Sequence, residues 1–475
     1  MPDTVTPSQT AEPAMENDRV KRAALLIAVL ASFLTPFMVS SINIAIPAIS
    51  RDLPMSAVAM SWVATAYLLS TALFLLPFGR LADIHGRKKM FTLGIGTYTL
   101  AALLLAFSPS VAVLIMLRAV QGFGSAMIFG TGMAIVISVY PAAERGRVLG
   151  LNVAAVYAGL SLGPFLGGFL TQQFGWRSIF LANVPLGLLV IYFVATRLTG
   201  EWAEAKGERF DLAGSLIYGL SLLLLMYGLS LQPSFHGGGL ILAGVIGMGA
   251  FALWERSTTS PLLNMNLFLH NATFAFSNLA ALINYSATFA VTFLLSLYLQ
   301  YIKGLTPQHA GFILVAQPVV MAVFSPLAGR LSDKIEPRIV ASLGMGLAAL
   351  GLYLFTFLSA ATSVGFIVGG LMLIGFGFAL FSSPNTNAVM SSIDRRFYGV
   401  GSATLGTMRL TGQLLSMGVA SVIFSLHIGG AQITPELYPQ FLVSLRTAFT
   451  LFAALCFGGV FASLARGRVR RPVKQ

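Results

Sequence analysis

"PFGRLADIHGRKKM", Pro77–Met90, sets five charged side chains and a histidine between two long apolar runs. A near copy, "PLAGRLSDKIEPR", returns at Pro326–Arg338, displaced by 250 residues so that Gly79, Arg80 and Asp83 fall in register with Gly329, Arg330 and Asp333. Only 9% of the chain is charged, so concentration of charge in two matched places marks two equivalent turns in a duplicated architecture.

The apolar runs decide what surrounds those turns. The chain has 475 residues, 56% of them hydrophobic, and a mean hydropathy of +0.82. That is too much apolar surface for one water-soluble core, so the bilayer is the solvent. Runs of about 20 residues are needed to cross ~30 Å of hydrocarbon, and fourteen candidates occur between Ala23–Ile46 and Phe441–Ala465. The first run is too long for a signal-peptide core and reads as a retained span behind a polar tail. Cys456 is the sole cysteine, so an internal disulfide is excluded and a cysteine metal site is disfavoured.

An even number of spans puts both termini on one side, and Lys and Arg identify that side as cytoplasmic. Of the 29, 23 fall in the tails and same-side loops, against Arg51, Arg177 and Lys303 opposite and Arg118, Arg409 and Arg446 within spans. The net charge of +13 is therefore a basic face beside anionic lipid, with no nucleic-acid patch implied. Both charged repeats become short cytoplasmic turns, after the second and tenth spans. The expected fold is an all-α polytopic membrane protein with fourteen transmembrane helices: two pseudo-symmetric six-helix bundles and two inserted linker helices. The expected divisions are a cytoplasmic tail (1–22), a first bundle (23–196), a linker with two spans (197–262), a second bundle (263–465) and a basic tail (466–475). A duplicated six-helix unit is the pattern of a secondary transporter whose site lies between its halves.

With Gly79, Asp83, Gly86, Arg87, Lys88 and Lys89 in the first turn, "RAVQG" at Arg118–Gly122, "GLSLGPFLGG" at Gly159–Gly168 and "NIAIP" at Asn43–Pro47, the chain resembles the major facilitator superfamily. More narrowly, it resembles the fourteen-helix drug:proton antiporter branch. The resemblance spans nearly the whole chain and implies multidrug efflux by alternating access, coupled to protons, in the plasma (inner) membrane. Its partners would be membrane lipids, a small hydrophobic or amphiphilic substrate and protons, with no cofactor. One departure stands out: related exporters carry an acid five positions before Asn43, and here that position is Met38. All 16 Asp and Glu fall in tails, loops or helix ends, and the five histidines likewise. A buried carboxylate is the usual proton carrier and the usual partner of a cationic drug; its absence leans toward neutral, anionic or lipid-like cargo.

Each marked residue carries a functional and a plainer reading. In the turn, Gly79 and Gly86 permit a tight reversal, Asp83 would cap the third helix or pair with Arg145 or Arg147, and Arg80 and Arg87 complete a latch. Positive-inside charge alone would also explain the cations. Gly329, Arg330 and Asp333 would make a weaker mirror latch. Arg118 inside the fourth span is costly unless it faces protein or a watered cavity. It is either a cavity cation or an arginine satisfied by neighbouring carbonyls, with Gln121 on the same face. Arg409 and Gln413 repeat the pair in the second half. Asn43, Tyr67, Tyr157, Asn284, Tyr285, Gln317, Asn385 and Asn387 either line a cavity or bond across helices, and Met38 would give an adaptable wall. Gly159, Gly163, Gly167 and Gly168 form a packing stripe around the kink at Pro164, expected to seal the halves.

The nucleotide loop GxxxxGK[ST], HExxH and a Cys/His cluster are all missing, so the energy for transport comes from an ion or substrate gradient. An exporter, a uniporter or importer of an anionic metabolite, and a non-transporting scaffold or sensor remain distinct readings.

Overall fold

A computed structural model describes residues 11–258, 261–263, 265–394 and 398–467. The side chains of Arg145, Arg147 and Asp333, expected at the gate, lie outside the described set. The described residues form helices and connecting loops with no strand among them.

Among the described residues, fourteen long helical segments build the molecule. The first bundle holds α1 (Ala11–Asp52), α2 (Ala57–His85), α3 (Arg87–Leu105), α4 (Val111–Val139), α5 (Ala142–Phe174) and α6 (Arg177–Arg197). The inserted pair is α7 (Leu212–Ser230) and α8 (Phe235–Ser257). The second bundle holds α9 (Ala272–Ile302), α10 (Pro307–Ser332), α11 (Pro337–Phe357), α12 (Val364–Ser391), α13 (Tyr398–His427) and α14 (Tyr438–Ala465). Thirteen of these are long and apolar enough to cross a bilayer. The exception is α3, whose 19 residues begin Arg-Lys-Lys, so its cations dilute an otherwise apolar run.

The helices run beyond the apolar stretches that reveal them. α1 has 42 residues with Pro36 and Pro47 inside it, because a helix continues into the watery interface where hydropathy no longer marks it. Starts are set by local chemistry. Ser56, Ser110, Asp211 and Ser363 each accept a backbone N–H of the first turn of α2, α4, α7 and α12. Thr306 does the same for α10, with Pro307 preset for the first helical position. The reversal between α2 and α3 needs Gly86, whose φ of 120° suits a residue without Cβ.

Within the first bundle α1 packs on α5, and α4 on α2 and α3; the second bundle repeats this with α9 on α13 and α12 on α10 and α11. Between halves, α2 meets α13, α5 meets α10, and α1 meets α9, the pairings a two-fold relation requires. α7 lies against both α2 and α13, while α8 rests chiefly on α7 and exposes Leu242, Ile246 and Leu253 outward. A ring of such exposed residues, including Leu100, Met116, Leu188 and Val323, is what a lipid-facing surface requires.

The two halves are closed at one end. Opposite the end carrying Lys88 and Arg466, Ser296 donates to the Asn43 carbonyl (2.7 Å) and Gln300 to the Ile44 carbonyl (2.9 Å). Ala57 N–H reaches the Ala431 carbonyl (3.2 Å). No described ion pair links the halves at the basic end.

Candidate functional site

The basic-end turn is built around Arg87. Its Nε donates to Asp83 Oδ1 (2.8 Å), and its Nη1 and Nη2 take both carboxylate oxygens of Glu204 (2.7 and 3.0 Å). Nη1 also reaches Ser138 at the end of α4 (2.6 Å). Asp83 therefore pairs within its own turn, four residues from its partner, and does not cap α3. That task falls to Glu201, whose carboxylate accepts the backbone N–H groups of Lys88 (2.8 Å) and Lys89 (3.2 Å). A carboxylate there satisfies orphan donors at the positive end of the helix dipole. A Cβ on Gly86 would sit 2.5 Å from the Glu201 carboxyl carbon, so glycine is also what admits this cap. Arg80 pairs with Glu208. In the second half, Arg330 is exposed and Ser332 donates to the Gly329 carbonyl (2.7 Å).

The sequence left the polar groups of the spans either lining a cavity or bonding across helices; the structure divides them. Arg118 is 1% exposed between α2 and α4. Its Nε donates to the Val63 carbonyl (3.0 Å), its Nη1 to Gln121 Oε1 (2.6 Å), and its guanidinium lies 4.4 Å from the Tyr67 ring centroid. The Tyr67 hydroxyl is bonded in turn to Ser125. In this conformation the plainer reading describes Arg118, a cation held by a carbonyl, an amide and a π face. Met38 and Asn43 are also buried, and the Asn43 side-chain oxygen has no partner. Asn284 lies against Cys456 of α14 (4.0 Å). Gln317 is buried with an unpartnered side-chain oxygen, and Asn387 reaches Ser332 (3.2 Å).

What remains on the facing helices is a smaller set. Tyr157 of α5 bonds Ser325 of α10 across the halves (3.2 Å). Arg409 of α13 donates to Thr386 of α12 (2.7 Å), lies 5.8 Å from the Tyr285 ring of α9, and keeps a buried Nε without a partner. Tyr285 stacks edge-on with Phe378 at 5.2 Å. Tyr157, Tyr285, Arg409 and Gln413 are all half-buried, as is Asn387 of α12, so these are the predicted polar residues of the spans with surface left for a ligand. No carboxylate stands among them. A separate groove of about 750 Å³ on the outside of α3, beside Lys89, Leu93 and Glu201, is remote from this set.

The glycine stripe also divides. Gly159, Gly163 and Gly167 face α1, where a Cβ would come within 2.5 Å of the Phe33 carbonyl, 2.6 Å of Ser40 Cβ and 2.7 Å of Ser41 Cβ. Ser41 donates to the Gly163 carbonyl exposed by that approach (2.9 Å). Of the four glycines, only Gly168 meets the other half, 2.5 Å from the Pro307 carbonyl by the same measure.

Arg466, assigned to the tail from sequence, is wholly buried at the basic end of the second bundle. It donates to Asn385 Oδ1 (2.9 Å), Ser277 Oγ (3.3 Å) and the Ser463 carbonyl (2.8 Å), tying together α9, α12 and α14. Burial pushes its guanidinium down to about 10, with the charge of Glu336 acting the other way, so it stays protonated at neutral pH. Asn385 is thus a partner of Arg466. An arginine next to the chain's basic tail gave no periodicity to reveal this. The glutamates 201, 204 and 208 did carry a signal, since an acidic triplet follows a turn with four cations.

Two six-helix halves closed at one end, with half-buried polar groups on the facing helices, are the pattern of a secondary membrane transporter. The family model of the Major Facilitator Superfamily matches residues 28–282 and 277–475, and the chain belongs to that superfamily. It is 28% identical to the riboflavin transporter RibZ of Clostridioides difficile, over 94% of this chain and 97% of that one. It is 29% identical to the multidrug resistance protein Stp of Mycobacterium tuberculosis, over 83% of this chain and 74% of that one. A crystal structure of a D-xylose–proton symporter superposes with a TM-score of 0.68 at 14% identity, covering 96% of this chain and 99% of that one.

Proposed function

We propose that this transporter exports hydrophobic or amphiphilic compounds across the plasma membrane, with both termini in the cytoplasm, and that its cargo is neutral or anionic. The observation that carries the reading is the half-buried set on the facing helices: two phenols, Gln413 and the partly unpartnered Arg409, with no acid. A guanidinium over an aromatic ring offers a planar donor fork to carbonyl or carboxylate oxygens, and repels cations. Similarity to RibZ and Stp supports export or uptake of drug-sized molecules, and the excess of Lys and Arg at the basic end supports the orientation. In that orientation the end closed by Ser296 and Gln300 faces away from the cytoplasm.

The coupling ion of the wider branch is a proton. The lack of a mid-span carboxylate favours a second reading, a uniporter or importer of an anionic or lipid-like metabolite. Everted vesicles with an imposed pH gradient separate the two, using riboflavin and a panel of neutral and anionic dyes as probes. Proton antiport predicts accumulation that collapses with the gradient; transport indifferent to the gradient supports the second reading. A scaffold without transport would move none of the probes, and Arg409→Ala would change nothing.

A further inference from the structure

Where the inserted pair of helices meets the basic end, two buried carboxyl groups come together without a cation. Asp211 caps α7: its Oδ1 accepts the Gly214 N–H (2.9 Å), and the Trp254 indole N–H is shared between its two oxygens (3.2 and 3.0 Å). Glu255, in the last turn of α8, reaches the same spot. A Cβ on Gly214 would overlap Asp211 Oδ2 and lie 2.8 Å from Glu255 Oε1, so both oxygens border the space that this glycine leaves open. Glu255 is only 3% exposed. Its Oε2 accepts the Leu263 N–H (2.8 Å), whereas Oε1, the oxygen beside Gly214, has no partner. A buried carboxylate oxygen without a donor is costly, and a second carboxylate next to it adds repulsion.

The elements packed around this spot bring no relief. On α7, beyond Asp211, the Tyr218 phenol is committed to the Ala72 carbonyl (3.1 Å). On α2, Arg80 is paired with Glu208. His270 ends the short helix Met265–His270, and Arg209 and Arg256 are exposed. Among all these groups, Asp211 is the one whose charge acts on Glu255. A hard cation is a poor occupant, because it takes about six oxygens and no described cluster holds three acidic or metal-binding side chains.

A proton on Glu255 Oε1 resolves the conflict. The carboxyl can then donate toward Asp211, whose negative charge stays with the indole N–H and the positive end of the α7 dipole. We propose that Glu255 and Asp211 form a proton-binding site, in which one proton held between two carboxyls fastens the inserted pair to the chain entering the second half. Three segments meet there: the start of α7, the end of α8 and Leu263. Loss of the proton to water at the basic end leaves two anions side by side. Glu255 must then swing away and release the Leu263 N–H. The site follows from the fold, whichever cargo the transporter carries.

Infrared spectra of the full-length protein in nanodiscs test this, in buffers stepped from about pH 5 to about pH 9, above the ~4 at which exposed carboxyls ionise. The carboxylic C=O band is read against the carboxylate band. A protonated carboxyl that persists into this range and disappears in Glu255→Gln is the expected result; glutamine keeps the acceptor for Leu263 N–H. Asp211→Asn retains a good helix cap but removes the neighbouring charge, so the band should vanish at a pH lower by about one unit or more. A spin label at Thr258→Cys, just past α8, reads the fastening, with the buried Cys456 left in place. Its mobility should rise as the band is lost, and should stay low at every pH in Glu255→Gln.

A wild type without a protonated carboxyl in this range, or a band that survives in Glu255→Gln, overturns the site. A midpoint unmoved by Asp211→Asn overturns the sharing of the proton, a reading that stands even where Glu255→Gln fails to fold. Label mobility that ignores the loss of the band overturns the fastening role.

Discussion

Arg118 and Arg409 are the same residue type in matching halves, yet their surroundings assign them different work. Arg118 is enclosed, with its donors on Val63 and Gln121 and its face on Tyr67. Arg118→Ala should therefore lower thermal stability in detergent, by roughly 2–3 kcal/mol for lost hydrogen bonds to a charged group. Arg409 is half-buried with an unpartnered Nε. Arg409→Ala should leave the melting temperature within a degree or two and weaken retention of an anionic probe about tenfold or more. The reverse pattern, a stable Arg118→Ala that loses the probe, would exchange their roles. Arg466→Ala should melt earlier as well, because Asn385 and Ser277 lose a shared donor inside the second bundle.

At the scale of the helix, small residues decide which surfaces can touch. Gly159→Leu would drive a side chain into the α1 backbone at Phe33 and should lower the yield of folded protein. Gly168→Leu meets Pro307 of the other half, so it should spare the bundle and prise open the closed end. Gly96→Leu serves as a control, since its missing side chain would point into open space. Size-exclusion profiles and thiol accessibility of cysteines near Gln300 distinguish these outcomes. Such elements were legible in sequence to different degrees. The spans followed from apolar length, and the turn between α2 and α3 from its matched copy. The direction of the glycine stripe did not, because residues at helical spacing show a shared face without showing which neighbour it meets. The divided cavity was hidden for a related reason. Depth along a helix can be counted from its ends, but the rotation that turns Arg118 toward α2 is set by packing.

For the whole molecule, one duplicated unit accounts for the pairing of α2 with α13 and of α5 with α10, and for a closed end opposite the basic rim. The basic rim should be cytoplasmic. A cysteine at Lys89 labelled by an impermeant reagent only after cells are opened is the expected result, and labelling on intact cells would invert the topology. The central claim is that transport requires the closed end to open. Phe165 of α5 and Phe312 of α10 face each other across that end with ring centroids 6.5 Å apart. Joining Phe165→Cys to Phe312→Cys with a short reducible cross-linker should abolish probe transport in proteoliposomes, and reduction should restore it. Transport undiminished in the fully cross-linked protein would contradict the account.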